Sequence, residues 1–278
     1  MNSSARQIPA AEARAFLDSI RLGSRTLLDV RQDFEYAEGH LPGATLIPLP
    51  ELAERAGELD AALPVLVYCR SGKRSLAGAN LLSGLGFQDV LSMQGGISAW
   101  DGAQAVGPLD LGLAALLAAR TPQEVLERAW GMELALEEYY TTLAGAAAEA
   151  EAAALFKRLA GFEARHRRTL SEIWKRLGGG DESAFEDRAR ASVAPGILEG
   201  GLSASGYLGL LADPASSAEA LDLSMAIEAQ AMDLYLRRAK AEGAEEDADL
   251  RRTLVLLAEE EKAHLKVLAA FVNGRGRF

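Results

Sequence analysis

Along the first hundred residues, short apolar runs alternate with short segments whose apolar residues recur every three or four positions. Thr26–Val30, Leu46–Pro48, Val65–Tyr68 and Val90–Met93 read as strands, and the stretches Glu51–Leu59 and Ser75–Leu85 between them read as helices. That rhythm predicts an α/β domain with a largely parallel sheet. After Pro108 the texture changes to long Ala, Leu, Glu and Arg stretches with apolar residues three and four apart, and no run reads as a strand. The second half is therefore expected to be an all-α helical bundle, which divides the chain into domains at residues 1–107 and 108–278.

Helix ends in the second half are marked by their chemistry. Thr121-Pro122-Gln123-Glu124 combines a capping hydroxyl, a proline suited to the first helical position and a glutamate three residues after the cap, so a helix should begin near 122. Ser216-Ser217-Ala218-Glu219 repeats the signal. Gly178-Gly179-Gly180 should end a helix running from about 150 to 177, and Asn273-Gly274 should end the last one. Residues 181–215 are too many for a simple hairpin and are expected to cross the bundle, with a short helix around Glu182–Ala191.

Composition narrows the classes. In 278 residues, 49% apolar and 25% charged, no stretch of eighteen apolar residues occurs, which argues against a membrane-spanning helix. The N-terminus lacks a basic head followed by an apolar segment, so a cytoplasmic protein is expected. A net charge of −11 argues against broad affinity for nucleic acid, because counterion release needs a basic surface. One cysteine excludes an internal disulfide framework and a four-cysteine metal site within one chain.

That cysteine, Cys69, ends the run Val65–Tyr68 and is followed by Arg70, Ser71, Gly72, Lys73, Arg74 and Ser75 at the start of a helical pattern. The free N–H groups of a helix's first turn, with Lys73 and Arg74, would make an electropositive cradle that favours a thiolate and receives an anionic substrate. The plainer reading is a buried cysteine serving as a small apolar residue. Four ordered motifs decide between them: Leu28-Asp29-Val30-Arg31; Glu38-Gly39-His40-Leu41-Pro42-Gly43-Ala44 with Ile47-Pro48; Cys69 to Ser75; and Gly95-Gly96-Ile97-Ser98-Ala99-Trp100. Together they resemble the rhodanese family over about residues 7–103.

The resemblance implies a sulfurtransferase in which Cys69 attacks the outer sulfur of a donor such as thiosulfate, carries it as a persulfide and passes it to a nucleophilic acceptor. Cys69 through Arg74 makes a six-residue loop, as in sulfur-transferring members, whereas the related dual-specificity phosphatases use a loop one residue longer. Asp29 is expected to pair with loop or backbone donors and His40 to shape the turn before Pro42, rather than to react.

Of the chain's three histidines, the two in the second half share one context. Glu163-Ala164-Arg165-His166 and Glu261-Lys262-Ala263-His264 each place a carboxylate and an imidazole at i and i+3, on nearly the same helical face. Upstream of each stands a glutamate in a repeated frame: Glu133 with Tyr140 and Ala144, and Glu228 with Tyr235 and Ala239. Four helices offering Glu, Glu-x-x-His, Glu and Glu-x-x-His form the pattern of ferritin-like di-iron or di-manganese carboxylate bundles. Over residues 122–273 the chain resembles rubrerythrin and its relatives. That implies a four-helix ferritin-like fold holding two iron ions, or manganese, with Glu163 and Glu261 as bridges, Glu133 and Glu228 as terminal ligands, His166 and His264 as imidazole donors, and Tyr140 and Tyr235 behind the carboxylates. Ordinary solvated helix faces also carry Glu at such spacings, and buried carboxylates without a cation would repel one another.

Two departures from the rubrerythrin pattern stand out. Ala231 and Met232 occupy the positions where an extra glutamate is typical, and the four-cysteine rubredoxin-like centre is missing. Glu137, one turn after Glu133, is either a further carboxylate for the site or part of an exposed face. The expected whole is a sulfurtransferase joined to a di-iron domain that reacts with peroxide or oxygen, in a homodimer formed through the bundle. The alternatives are a bundle that binds or senses iron while the first domain delivers sulfur, and a metal-free dimerising scaffold.

Overall fold

The computed structural model describes residues 5–107, 121–193, 217–241 and 247–272, together with positions 116, 119, 197, 198, 203 and 205. The chain separates into two compact units, Met1–Leu109 and Asp110–Phe278.

The first unit is built on a five-stranded, wholly parallel sheet of β1 (Arg6–Pro9), β2 (Thr26–Asp29), β3 (Thr45–Leu46), β4 (Val65–Tyr68) and β5 (Val90–Gln94), in the order β1-β5-β4-β2-β3. Helices α1 (Ala10–Ser19), α2 (Asp33–Glu38), α3 (Leu52–Arg55) and α4 (Lys73–Gly84) connect the strands. Strands β2, β4 and most of β5 are buried on both faces, which is why they read as mainly apolar runs rather than as alternating ones. The pleat sorts their residues: Leu66 and Tyr68 join the cluster of Ala13, Leu17 and Tyr36, while Val65, Val67 and Cys69 join that of Leu52, Ala79 and Leu82. Strand β4 lies between neighbours reached in opposite directions along the sheet. Loops at the carboxyl end of such a strand are where parallel sheets bind ligands, and Cys69 is the first residue beyond that end.

The sequence pattern matches β2, β4 and β5, meets β3 only at Leu46 because the run Leu46–Pro48 leads into the 3₁₀ turn at Leu49 rather than continuing the strand, and shows nothing of β1, α1 or α2. Strand β1 is an edge strand with one buried residue, Ile8, so it carries no apolar run. The stretch read as a helix over Glu51–Leu59 is a 3₁₀ turn, the single helical turn α3 and a second 3₁₀ turn.

Among its described residues the second unit is largely helical, with α5 (Pro122–Ala146), α6 (Ala150–Arg176), α7 (Glu182–Ser192), α8 (Ser217–Lys240) and α9 (Ala248–Val272), and one isolated antiparallel bridge between Ile197 and Ser203. The start of α5 is capped as its sequence predicts, with Thr121 Oγ1 accepting from Glu124 N–H at 3.2 Å and Pro122 in the first turn. Helix α6 ends at Gly178, whose φ of +84° reverses the chain. The proposed cap at Ser216 and stop at Asn273-Gly274 lie outside the described residues. Helix α5 packs along α6, and α8 along α9, as two antiparallel pairs around Leu136, Tyr139, Tyr140, Phe156, Ile227 and Leu268. Helix α7 lies across α5 at Gly131, where a Cβ would stand 2.6 Å from the carbonyl oxygen of Ala189.

Candidate active site and candidate metal centre

Cys69 is buried, and its Sγ accepts a hydrogen bond from Gly72 N–H at 3.2 Å. Gly72 can turn the loop back onto the sulfur because its φ is +91°, a region other residues avoid. A second fastening comes from the loop after β5. Ile97 N–H donates to Cys69 O at 2.8 Å and Ser98 N–H to Arg70 O at 3.1 Å. A Cβ on Gly96 would lie 2.1 Å from that same Cys69 oxygen, so the Gly95-Gly96 motif exists to let two backbones meet. Ser75 Oγ donates to Gly72 O at 3.1 Å and accepts from Ser92 Oγ at 3.0 Å, tying the first turn of α4 to β5. Arg70, Ser71 and Lys73 are exposed at the rim.

Arg74 departs from the expected arrangement. Its guanidinium is forked onto Glu35 of α2 at 2.6 and 2.7 Å, so the cation expected to serve the sulfur loop is largely neutralised by a partner 39 residues away. The sequence held a signal for Glu35 only as the third residue of α2, where it closes a capping box with Gln32. Asp29 accepts from Arg31, from the backbone N–H at 3.0 Å and from the guanidinium at 2.7 to 3.0 Å, and Arg31 also donates to Gly39 O at 2.7 Å. His40 stacks on Tyr36 with centroids 3.6 Å apart, its Nδ1 lies 2.9 Å from Tyr36 O, and its backbone bridges Ala105. These contacts place Asp29 and His40 in the frame beneath the loop.

The hydrogen bonds from Arg74 hold the Glu35 carboxyl down to about 2, from an ordinary 4.5. Since the folded value lies below the unfolded one, the pair stabilises the fold above about pH 4.5 and that contribution is lost as pH falls toward about 2. Glu35→Gln is therefore expected to flatten the fall of stability with acid between about pH 5 and about pH 2, read as denaturant midpoints across that range. An unchanged slope would show that the pair contributes nothing to folding.

In the second unit, six side chains from four helices converge. Glu133 of α5, Glu163 of α6, Glu228 of α8 and Glu261 of α9 are fully buried, and His166 and His264 nearly so. His166 Nδ1 lies 3.5 Å from Glu133, 3.3 Å from Glu163 and 3.7 Å from Glu261. His264 Nδ1 lies 3.2 Å from Glu228, 3.5 Å from Glu163 and 3.3 Å from Glu261. Glu163 turns Oε2 to His166 and Oε1 to His264, while Glu261 turns Oε1 to His166 and Oε2 to His264. Two carboxylates are thus shared between the histidines, whereas Glu133 serves His166 and Glu228 serves His264. Tyr140 donates its hydroxyl to Glu228, and Tyr235 is fully buried in the matching register of α8. Glu137 stands apart: it is taken up by Arg167, whose guanidinium also lies over Trp130, so it is neither a seventh ligand nor a free exposed carboxylate.

This cluster fits a pair of cations. Both carboxylate oxygens of Glu133 and of Glu163, and His166 Nδ1, are buried without a hydrogen bond, an expensive condition for polar atoms that have no other use. Burial drives the Glu163 carboxyl well above its ordinary range, against the pull of His264 and His166. Burial likewise disfavours charge on His166, but Glu133, Glu163 and Glu261 outweigh it and push its pKa far upward. Four carboxylates with two neutral imidazoles are brought to neutrality by two divalent ions, and oxygen and imidazole donors suit iron or manganese. Three groups of ligand atoms lie within 4.8 Å of one another: Glu133, His166 and Glu261; Glu163, His166 and His264; and Glu228, Glu261 and His264.

Comparison with known proteins matches a different family in each unit. Residues 10–103 match the rhodanese-like domain family and residues 124–199 match rubrerythrin. The second match takes in Glu133, Glu163 and His166, and the structure adds Glu228, Glu261 and His264 from beyond it. The thiosulfate sulfurtransferase GlpE of Pseudomonas fluorescens is 36% identical over 97 residues, 34% of this chain and 84% of that protein. YrkF of Bacillus subtilis is 34% identical over 102 residues, 36% of this chain, and the chain spans 55% of its length. A crystal structure of a rhodanese-related protein from Thermoplasma volcanium has 34% identity and a TM-score of 0.31, covering 34% of this chain and 89% of that one. By its first unit the chain belongs to the rhodanese-like family, and its second unit carries a rubrerythrin domain.

Proposed function

We propose that the chain couples in one polypeptide a sulfurtransferase working through Cys69 and a di-iron centre that reduces peroxide or oxygen. In the first reaction the Cys69 thiolate attacks the outer sulfur of a thiosulfate-like donor. The donor's S–S bond breaks, sulfite departs with the electron pair, and Cys69 keeps the sulfur as a persulfide. A nucleophile such as cyanide then takes the terminal sulfur and returns the thiolate. The N-terminus of α4 and the Gly72 N–H face the sulfur that carries negative charge, and Arg70 and Lys73 at the rim attract the anionic donor.

In the bundle, Glu133, Glu163, Glu261 and His166 would hold one cation, and Glu228, Glu163, Glu261 and His264 the other. Ferrous iron, when bound there, would supply the electrons for reducing an oxidant, and the chain's part would be to hold the pair in a dry setting with Tyr140 orienting Glu228. The observation that carries this reading is the sharing of Glu163 and Glu261 between the two histidines, an arrangement surface glutamates have no reason to adopt.

One observation favours a second reading, in which the bundle binds or senses iron while the first unit delivers sulfur. Buried Ala231 and Met232 leave no carboxylate where rubrerythrin-like sequences carry an extra one. Anaerobic ferrous protein, given peroxide and an excess of small-molecule reductant, distinguishes the two. Repeated turnover, lost in His166→Ala, is expected for the redox centre. A single stoichiometric oxidation without turnover would instead establish the binding role.

A further inference from the structure

The two halves of the cluster repeat each other at every ligand and differ at the residue before the glutamate of each Glu-x-x-His motif, which is Phe162 in α6 and Glu260 in α9. Each of these side chains reaches the histidine of the opposite helix. Phe162 stacks on His264 with centroids 4.9 Å apart and planes at 9°, and His264 stacks in turn on His166 at the same separation and angle. The guanidinium of Arg165 lies 4.3 Å from the centre of the Phe162 ring, and that of Arg158 5.5 Å. Glu260, by contrast, sets a half-exposed carboxylate 3.5 Å from His166 Nε2. Among the described residues, every other carboxylate within ion-pair distance of either histidine faces Nδ1.

An imidazole that offers its Nδ1 lone pair to a cation must keep its proton on Nε2. For His166 a carboxylate waits at that proton, and such a partner both fixes the tautomer and makes the ring a stronger donor. His264 has an aromatic ring against its face and two guanidinium groups beyond that ring, a setting that lends it no such help. A cavity of about 280 Å³, lined by Phe162, Arg165, His166, Leu257, Glu260 and His264, opens on this side of both rings.

Resting on the two-cation reading of the cluster, we propose that Glu260 is a positioning residue that makes the cation position at His166 the tighter of the two. The pair then fills in order, His166 first and His264 second, and the ion at His264 is the one that exchanges through the cavity.

Titration of the metal-free full-length protein with Co²⁺ under anaerobic conditions, followed by its visible ligand-field bands, tests this. Wild type is expected to show two successive classes of site. Glu260→Ala and the isosteric Glu260→Gln should weaken the first class by about 10- to 100-fold and spare the second, so that the two steps merge. In the Zn²⁺-loaded protein labelled with ¹⁵N-histidine, the strongly deshielded Nε2–H signal expected of His166 should move upfield in Glu260→Gln. Variants that titrate like wild type, or that weaken both classes equally, would overturn the proposal while leaving the two-cation reading intact. Failure of the wild-type protein to bind Co²⁺ would overturn both.

Discussion

Replacing Cys69 by serine is expected to abolish thiocyanate formation from thiosulfate and cyanide, by at least about a thousandfold, the scale on which loss of a covalent nucleophile leaves only background catalysis. The chain has no second cysteine to take over. Serine is nearly isosteric, so the sulfur loop should keep its frame: the Gly72 N–H still has an acceptor, and the bonds from Ile97 and Ser98 to the loop carbonyls do not involve the side chain. Iron binding by the bundle should be unchanged in this variant, because the two units have separate cores. Sulfite release from thiosulfate measured without cyanide adds a direct check. Wild type should release about one equivalent per chain as Cys69 is loaded, and Cys69→Ser none. Thiocyanate formation at the wild-type rate in Cys69→Ser would remove the cysteine from the reaction.

Anaerobic reconstitution with ferrous iron should give about two ions per chain, since the six ligands divide into two overlapping sets. The geometry makes the losses on mutation unequal. Glu163 and Glu261 each face both histidines, so Glu163→Ala or Glu261→Ala should cost both ions. Glu133 and His166 face one position only, as do Glu228 and His264 the other. His166→Ala or Glu228→Ala should therefore leave about one ion per chain, while the His166→Ala, His264→Ala double variant should retain none. Metal analysis after gel filtration reads the stoichiometry, and thiosulfate:cyanide activity confirms that the first unit is intact. Two ions retained by the double variant would show that the cluster is not the binding site.

The cluster of four glutamates and two histidines was legible in the sequence because its signal is local. An i, i+3 pair stays on one face whatever the helix packs against, and the second pair repeats the first with the same upstream glutamate and tyrosine. The central strands were legible for a similar reason: burial on both faces writes itself into Val65–Tyr68 as an unbroken apolar run and into β2 as Leu27-Leu28 between the buried Thr26 and Asp29. Strand β1 was not, because RQIP is held by its neighbour's backbone rather than by its own pattern. Helix α2, six residues long, had too few turns to display a period.

Sequence by itself determined the two-part division of the chain, the position of Cys69 between a buried strand and a helix N-terminus, and the identity of the six cluster residues. Tertiary structure alone decided which distant groups meet. It forks Arg74 onto Glu35, gives Glu137 to Arg167, turns both oxygens of Glu163 and Glu261 to different histidines, and sets Phe162 against one imidazole and Glu260 against the other. The physical reason is one of range. Helical and strand periods depend on residues a few positions apart and are carried along any stretch of chain. A hydrogen bond or an ion pair, however, is made or lost within about an ångström, a distance set by how helices and strands far apart in sequence pack together.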